Sequence, residues 1–218
     1  MLARYTFGMN PRTSGIFIGL IVVAMFVTGA VAFPHLPAIV PAYANRTTGA
    51  GEQRLWVVLI LPLMAAAFWG LWALLPGIDP IVPGFKGFRY AYDFFWILLI
   101  ALLALVYATQ LGDSFGWTLT PARVALPGAG VLLLSLGAIL PRIRRNWFFG
   151  VRTPWTLSSD TVWNRTNRVG AWLFACAGVV SLAGSFIAGS SLWWYLAAPV
   201  LSAAIASAVY SYVLYARG

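Results

Sequence analysis

Hydrophobic residues along this chain come in six long runs, separated by polar, proline-rich or glycine-rich breaks. The runs cover about Gly15–Phe33, Leu55–Leu75, Phe94–Leu111, Val124–Leu140, Val169–Ala188 and Leu192–Tyr215. Each approaches or exceeds the roughly 20 residues a helix needs to cross a hydrocarbon core of about 30 Å. The pattern therefore predicts an all-α, polytopic membrane protein built as a bundle of six transmembrane helices. Three of the breaks read HLPAIVPAY, PGIDPIVPGF and GDSFGWTLTP. The last, Gly189–Ser191, is so short that the fifth and sixth helices should form a tight antiparallel pair. Arg4 and Arg12 precede the first run, and Ala30-Val31-Ala32 near its end resembles a signal-peptidase site, so a cleaved signal peptide is the alternative reading there. Either way the following loop is expected outside.

Composition supports the same class. Of 218 residues, 61% are hydrophobic and 9% charged, and the mean hydropathy is +0.84. A water-soluble core of this size could not hide so much apolar surface. The formal charge of +9 raises the question of nucleic acid, which requires basic residues clustered on a solvated face. Here they stand at the ends of apolar runs, where they set orientation, and no direct nucleic-acid contact is expected. With the N-terminus inside, the cytoplasmic set is Arg4, Arg12, Lys86, Arg89, Arg142, Arg144, Arg145, Arg152, Arg165, Arg168 and Arg217, against Arg46, Arg54 and Arg123 outside. That asymmetry places both termini in the cytoplasm. Trp56, Trp117, Trp193, Trp194, Tyr195, Tyr212 and Tyr215 fit interfacial belts.

Reactive chemistry is scarce. No ionisable residue falls in the central part of any run, which argues against ion-coupled carriers and proton pumps. The single histidine, His35, excludes a two-histidine zinc motif within the chain and reads as a loop residue at the outer interface. The single cysteine, Cys176, reads as a small packing residue. No nucleophile elbow or phosphate loop is present, and neither metal nor organic cofactor is expected. The acids Glu52, Asp79, Asp93, Asp113 and Asp160 lie near run ends, where they cap helices, pair with arginine or face water. Asp79 is the least ordinary, because Pro80 restricts its backbone. Ala203, Ser207 and Ser211 recur every four positions in the last run, a spacing for close helix contact.

One segment departs from this plainness. Asn146–Asn167, NWFFGVRTPWTLSSDTVWNRTN, concentrates Arg, Trp, Thr and Asn between two apolar runs. Pro154 holds Thr153 extended and suits the first turn of a short helix or a tight bend. Ser158 or Ser159 can cap the next helix, with Asp160 in its first turn against the helix dipole. From there Trp163, Asn167, Gly170 and Phe174 share one face, and Arg152 is placed to return to Thr or Asn groups on it. Two readings stay open: a rigid platform for a polar ligand or partner, or an interfacial segment held by tryptophan and by arginine on anionic membrane lipid.

The order Asn146, Gly150, Arg152-Thr153-Pro154-Trp155-Thr156-Leu157, Val162-Trp163, Thr166-Asn167-Arg168 and Gly170 resembles the signature of SdpI-type membrane proteins. These are immunity proteins of bacteria that make a sporulation-delaying peptide toxin. Leu36-Pro37, Pro41, Asn45, Gly49, Leu61-Pro62, Leu75-Pro76, Ile78-Asp79-Pro80 and Phe88 to Tyr92 resemble the uncharacterised three-helix domain that often precedes it. The resemblance implies two units, 1–120 and 121–218. It also implies protection against a secreted antimicrobial peptide met at the outer loops, and recruitment of a cytoplasmic repressor at the inner one. As a binding surface it implies Asn146, Gly150, Arg152, Thr153, Pro154, Trp155, Thr156, Trp163 and Asn167, with Asp79, Tyr43 and Asn45 from the forward half. Tyr43 stands where the family usually has histidine. The alternatives are a small transporter or lipid-handling protein, and a membrane enzyme using Asp79 or Asp160 as an acid.

Overall fold

A computed structural model describes residues 10–41, 51–82, 85–187 and 194–217. The elements are α1 (Pro11–Ala32), a 3-10 turn at Phe33–His35, β1 (Ile39–Pro41), β2 (Gly51–Gln53), α2 (Arg54–Ile78), α3 (Arg89–Ser114), α4 (Pro121–Ile139), a 3-10 turn at Leu140–Arg142, α5 (Pro154–Ser158), α6 (Asp160–Ile187) and α7 (Trp194–Ala216). Six helices, all but α5, are long and apolar enough to cross a membrane. The chain is a multi-pass membrane protein, and the six predicted spans are found. Their outward faces carry bare hydrophobics such as Leu20, Leu74, Leu105, Phe186 and Ile205, as a lipid-facing surface requires.

The helices start where local chemistry sets them. Asn10 caps α1 by accepting from the Arg12 N–H, with Pro11 in the first turn, where its missing N–H costs nothing. Pro121 likewise stands in the first turn of α4, although the Thr120 side chain makes no cap bond. Two starts differ from the apolar runs. Helix α3 begins at Arg89 rather than Phe94, and α6 at Asp160, well ahead of Val169. Hydropathy marks where lipid begins, whereas capping and backbone hydrogen bonding mark where a helix begins. The short antiparallel pair β1–β2, with Val40 opposite Glu52, is too brief for any periodicity to announce. The connection 189–191 lies outside the described residues.

Helices α1, α2 and α3 pack together, α3 joins α4, and α6 packs on both α4 and α7. The buried cluster runs through both halves, from Ile18, Trp72 and Tyr92 to Leu140, Phe149 and Trp163. The α4–α6 crossing brings backbones into contact: a Cβ on Gly178 would stand 2.7 Å from the Gly130 carbonyl oxygen and 2.9 Å from the Leu134 nitrogen. Small residues permit such approach in membrane bundles. Gly178→Val must push the helices apart and should cost about 1–3 kcal/mol, read as a lower unfolding midpoint in detergent micelles; an unchanged midpoint would contradict the contact. The Ala203, Ser207 and Ser211 stripe is buried, as its spacing predicts. Cys176 is not the packing residue expected. It is exposed, because α6 buries Ala171, Ala177, Gly178 and Ser181 and turns position 176 outward. His35 is exposed in its 3-10 turn.

Asp93 ties the first three helices together. It is 1% exposed and accepts from Trp72 Nε1 at 2.7 Å, Arg89 Nε at 2.8 Å and Ser14 Oγ at 3.3 Å. Arg89 also lies over the Trp72 ring, 5.0 Å from its centroid. A buried charge is tolerable only when paired and hydrogen-bonded in this way.

Candidate functional site

The polar segment between α4 and α6 folds around two buried asparagines. Asn146 is fully buried. Its Oδ1 accepts from the Phe148 and Phe149 N–H groups at 2.8 and 2.6 Å, and its Nδ2 donates to the Arg144 and Phe149 carbonyls, both at 2.8 Å. Two donors and two acceptors are the full capacity of the amide. Gly150 then turns the chain at φ 117°, a conformation that suits glycine. A Cβ there would stand 2.9 Å from Asn167 Oδ1 and 3.0 Å from the Trp163 ring. The turn lets the Val151 N–H reach Asn167 Oδ1 at 2.9 Å, while Asn167 Nδ2 donates to the Trp163 carbonyl at 3.0 Å. Trp163, fully buried, closes the ring by donating Nε1 to the Ile143 carbonyl at 2.9 Å.

Helix α5 has Pro154 in its first turn, as the sequence predicts, and Thr153 as its cap, a role the sequence did not assign. Thr153 Oγ1 accepts from the Thr156 N–H at 3.2 Å, and Thr156 Oγ1 accepts from the Thr153 N–H at 2.8 Å. This is a capping box with threonine in the place usually taken by Glu or Gln. Ser159 Oγ accepts from the Val162 N–H at 3.4 Å, with Asp160 in the first turn of α6. Asp160 pairs with Arg145 Nε at 2.7 Å, and Arg145 Nη1 also donates to the Leu157 carbonyl at 2.7 Å. Helix α7 braces the unit: Ser211 Oγ is 3.0 Å from Thr153 Oγ1, and Tyr212 packs edge-on to Trp155 at 5.0 Å.

Asp79 joins the forward half to this segment. Its carboxylate is 3% exposed. Oδ1 accepts from the Ile81 and Val82 N–H groups at 2.9 and 2.8 Å, and Oδ2 accepts from the Trp147 N–H at 2.7 Å. Phe149 packs on Phe95 at 5.1 Å and on Tyr92 at 5.9 Å. The connections after α2 and after α4 therefore lie at one end of the bundle, as six spans require.

Asp79 and the signature positions from Asn146 to Asn167 thus form one unit, but not the unit expected. Asn146, Asp79, Thr156, Trp163 and Asn167 are buried and bonded to their own chain, so they make the scaffold. Arg152 does not return to the Thr or Asn groups. Its Nη1 donates to the Trp147 carbonyl at 2.8 Å instead. What faces outward is Arg152, Pro154 and Trp147, with Trp155 half-buried beside them. Trp147 went unremarked in the sequence, although its neighbours were singled out. Both candidate acids hold structure, Asp79 through three backbone N–H groups and Asp160 through Arg145. Tyr43 and Asn45 lie outside the described residues.

The comparisons with known proteins fall on this unit. Residues 142–211 match the model of the SdpI/YfhL protein family. The chain is also 23% identical over 205 residues to the immunity protein SdpI of Bacillus subtilis (strain 168), an alignment covering 92% of this chain and 95% of that protein. No solved structure matches the chain. The SdpI match begins at Arg142 in the 3-10 turn and ends at Ser211 on α7, so it spans the scaffold and both helices that hold it.

Proposed function

We propose that this SdpI-type protein is an immunity protein, protecting the membrane that holds it from a secreted, membrane-active peptide. The carrying observation is the similarity to the Bacillus immunity protein along nearly the whole of both chains. On this reading both termini and the arginine-rich unit after α4 face the cytoplasm, and the peptide is met on the opposite side, around residues 35–54. The inner unit then acts as a coupling platform. The side chains of Asn146, Thr156 and Asn167 are bonded within the chain, although the buried Thr166 Oγ1 has no partner among the described residues. The outward face of Arg152, Trp147 and Trp155 is thereby preorganised, and a soluble repressor is the partner such a face would recruit.

The test is survival of a sensitive bacterium challenged with a membrane-active peptide, with and without this protein. Expression should raise survival; no gain over the empty vector against a panel that includes any small secreted peptide encoded beside the gene would refute the immunity reading. Arg152→Ala and Trp155→Ala should each insert at normal levels and lose protection by about tenfold or more, as loss of a central Arg or Trp contact does at other interfaces. Full protection by both variants would leave immunity standing and remove the platform.

A further inference from the structure

A cavity of about 440 Å³ opens beside the Arg152 face, within the roughly 300–1,000 Å³ range of small-ligand pockets. Phe95 of α3, Leu140 after α4 and Phe174 of α6 wall it, Ala204 and Ala208 of α7 leave room on one side, and Arg152 lines it. Arg152 is itself exposed and so stands at the opening. Thr153 and Ser207 also line it, but their hydroxyls are engaged with Ser211 Oγ and the Ala203 carbonyl. Apart from Arg152, the rest of the wall is apolar and suits a hydrocarbon chain better than water.

Depth and charge identify the occupant. Val151 packs against Gly170, where a Cβ would meet its Cγ2 at 3.0 Å, and Gly170 lies at the start of the apolar part of α6. Arg152 therefore sits where lipid headgroups begin. Arg142, Arg144, Arg145, Arg152, Arg165 and Arg168 crowd this end of the bundle, and among the described residues only Arg145 of these six has an acidic partner. Arg152 is oriented by a carbonyl rather than neutralised by a carboxylate. A guanidinium suits a phosphate because its planar fork matches the oxygens.

We propose that the cavity takes one acyl chain of an anionic phospholipid, whose phosphate is held by Arg152. The surrounding bilayer supplies the ligand, and the site lies beyond what the immunity reading requires. Bound lipid would fill the gap between α3 and α7 and cross-link the signature to the last helix.

Spin-labelled phosphatidylglycerol and phosphatidylcholine, each labelled near the end of one chain, test this with the purified full-length protein in nanodiscs. Lipid merely surrounding the bundle is retarded for both. The site predicts about fivefold preference for the anionic lipid, the size of one arginine's attraction to such a headgroup. Arg152→Gln should abolish that preference and Arg152→Lys keep part of it. Ala208→Phe, which fills the cavity without changing charge, should also abolish it. Gel filtration and the unfolding midpoint establish that each variant is folded. Equal retention of the two lipids would overturn the proposal. So would a preference surviving Ala208→Phe, which would mean surface attraction only, or one surviving Arg152→Gln. All readings are made on purified protein, so they stand apart from the survival assay.

Discussion

Asp79→Ala is expected to loosen the whole Arg-rich end of the bundle, lowering stability by about 3–5 kcal/mol. Each hydrogen bond to a charged group contributes about 1.5–3 kcal/mol, and this carboxylate accepts three from backbone N–H groups. Two of those bonds shape its own turn after α2; the third, to Trp147, fixes the signature loop to that turn. Alanine would leave three donors without their acceptor at a site with little water. Asp79→Asn keeps the shape and one carbonyl oxygen, so it should lose less than half as much. Unfolding in micelles measures both. Proteolysis should distinguish the role from a catalytic one: the alanine variant should be cut faster between residues 143 and 153, whereas an acid serving only chemistry would leave cleavage unchanged.

Asn146→Asp should cost about 2–4 kcal/mol although it changes one atom. The two accepted bonds survive, but the two donated ones are lost, and an oxygen is set against the Arg144 and Phe149 carbonyls. An unsatisfied buried polar group costs about 1–3 kcal/mol, and a buried charge without a partner more. The companion Asn167→Asp should behave alike, because its Nδ2 donates to the Trp163 carbonyl. An aspartate variant as stable as the native chain would mean that the amide nitrogen faces water rather than two carbonyls.

The spans were legible because lipid imposes one rule on every residue it touches, and runs such as Gly15–Phe33 obey it, the one polar side chain, Thr28, being bonded back to its own helix. The first-turn place of Pro154 and a serine cap at Ser158 or Ser159 were legible for a related reason, since they depend only on neighbours within four positions, whereas the capping role of Thr153 was not read. The roles of Asn146 and Asn167 were not legible. Their residue types mark polar contacts, yet residue type does not say whether a partner or their own backbone supplies them. A tight loop decides it for Asn146, whose bonds all lie within three positions, and the turn at Gly150, which aims the Val151 N–H at Asn167, decides it for Asn167. Asp79 and Trp147 are 68 positions apart, and a single aspartate carries no periodicity to link them. The backbone contact at Gly178 was equally silent, because a lone glycine in a helix reads as a tolerated cost until its partner, Gly130, is known.

Helix α6 has 28 residues and so measures about 42 Å at 1.5 Å per residue, while a hydrocarbon core is about 30 Å thick. Its polar opening, Asp160 to Arg168, is the excess. With its headgroups a bilayer measures about 40–45 Å, so this opening lies at headgroup depth. It is collared by the 146–158 segment through the Trp163–Asn167 lock, with Arg165 and Arg168 exposed on its outer side. Being one continuous rod, α6 carries any tilt at its far end directly into that collar.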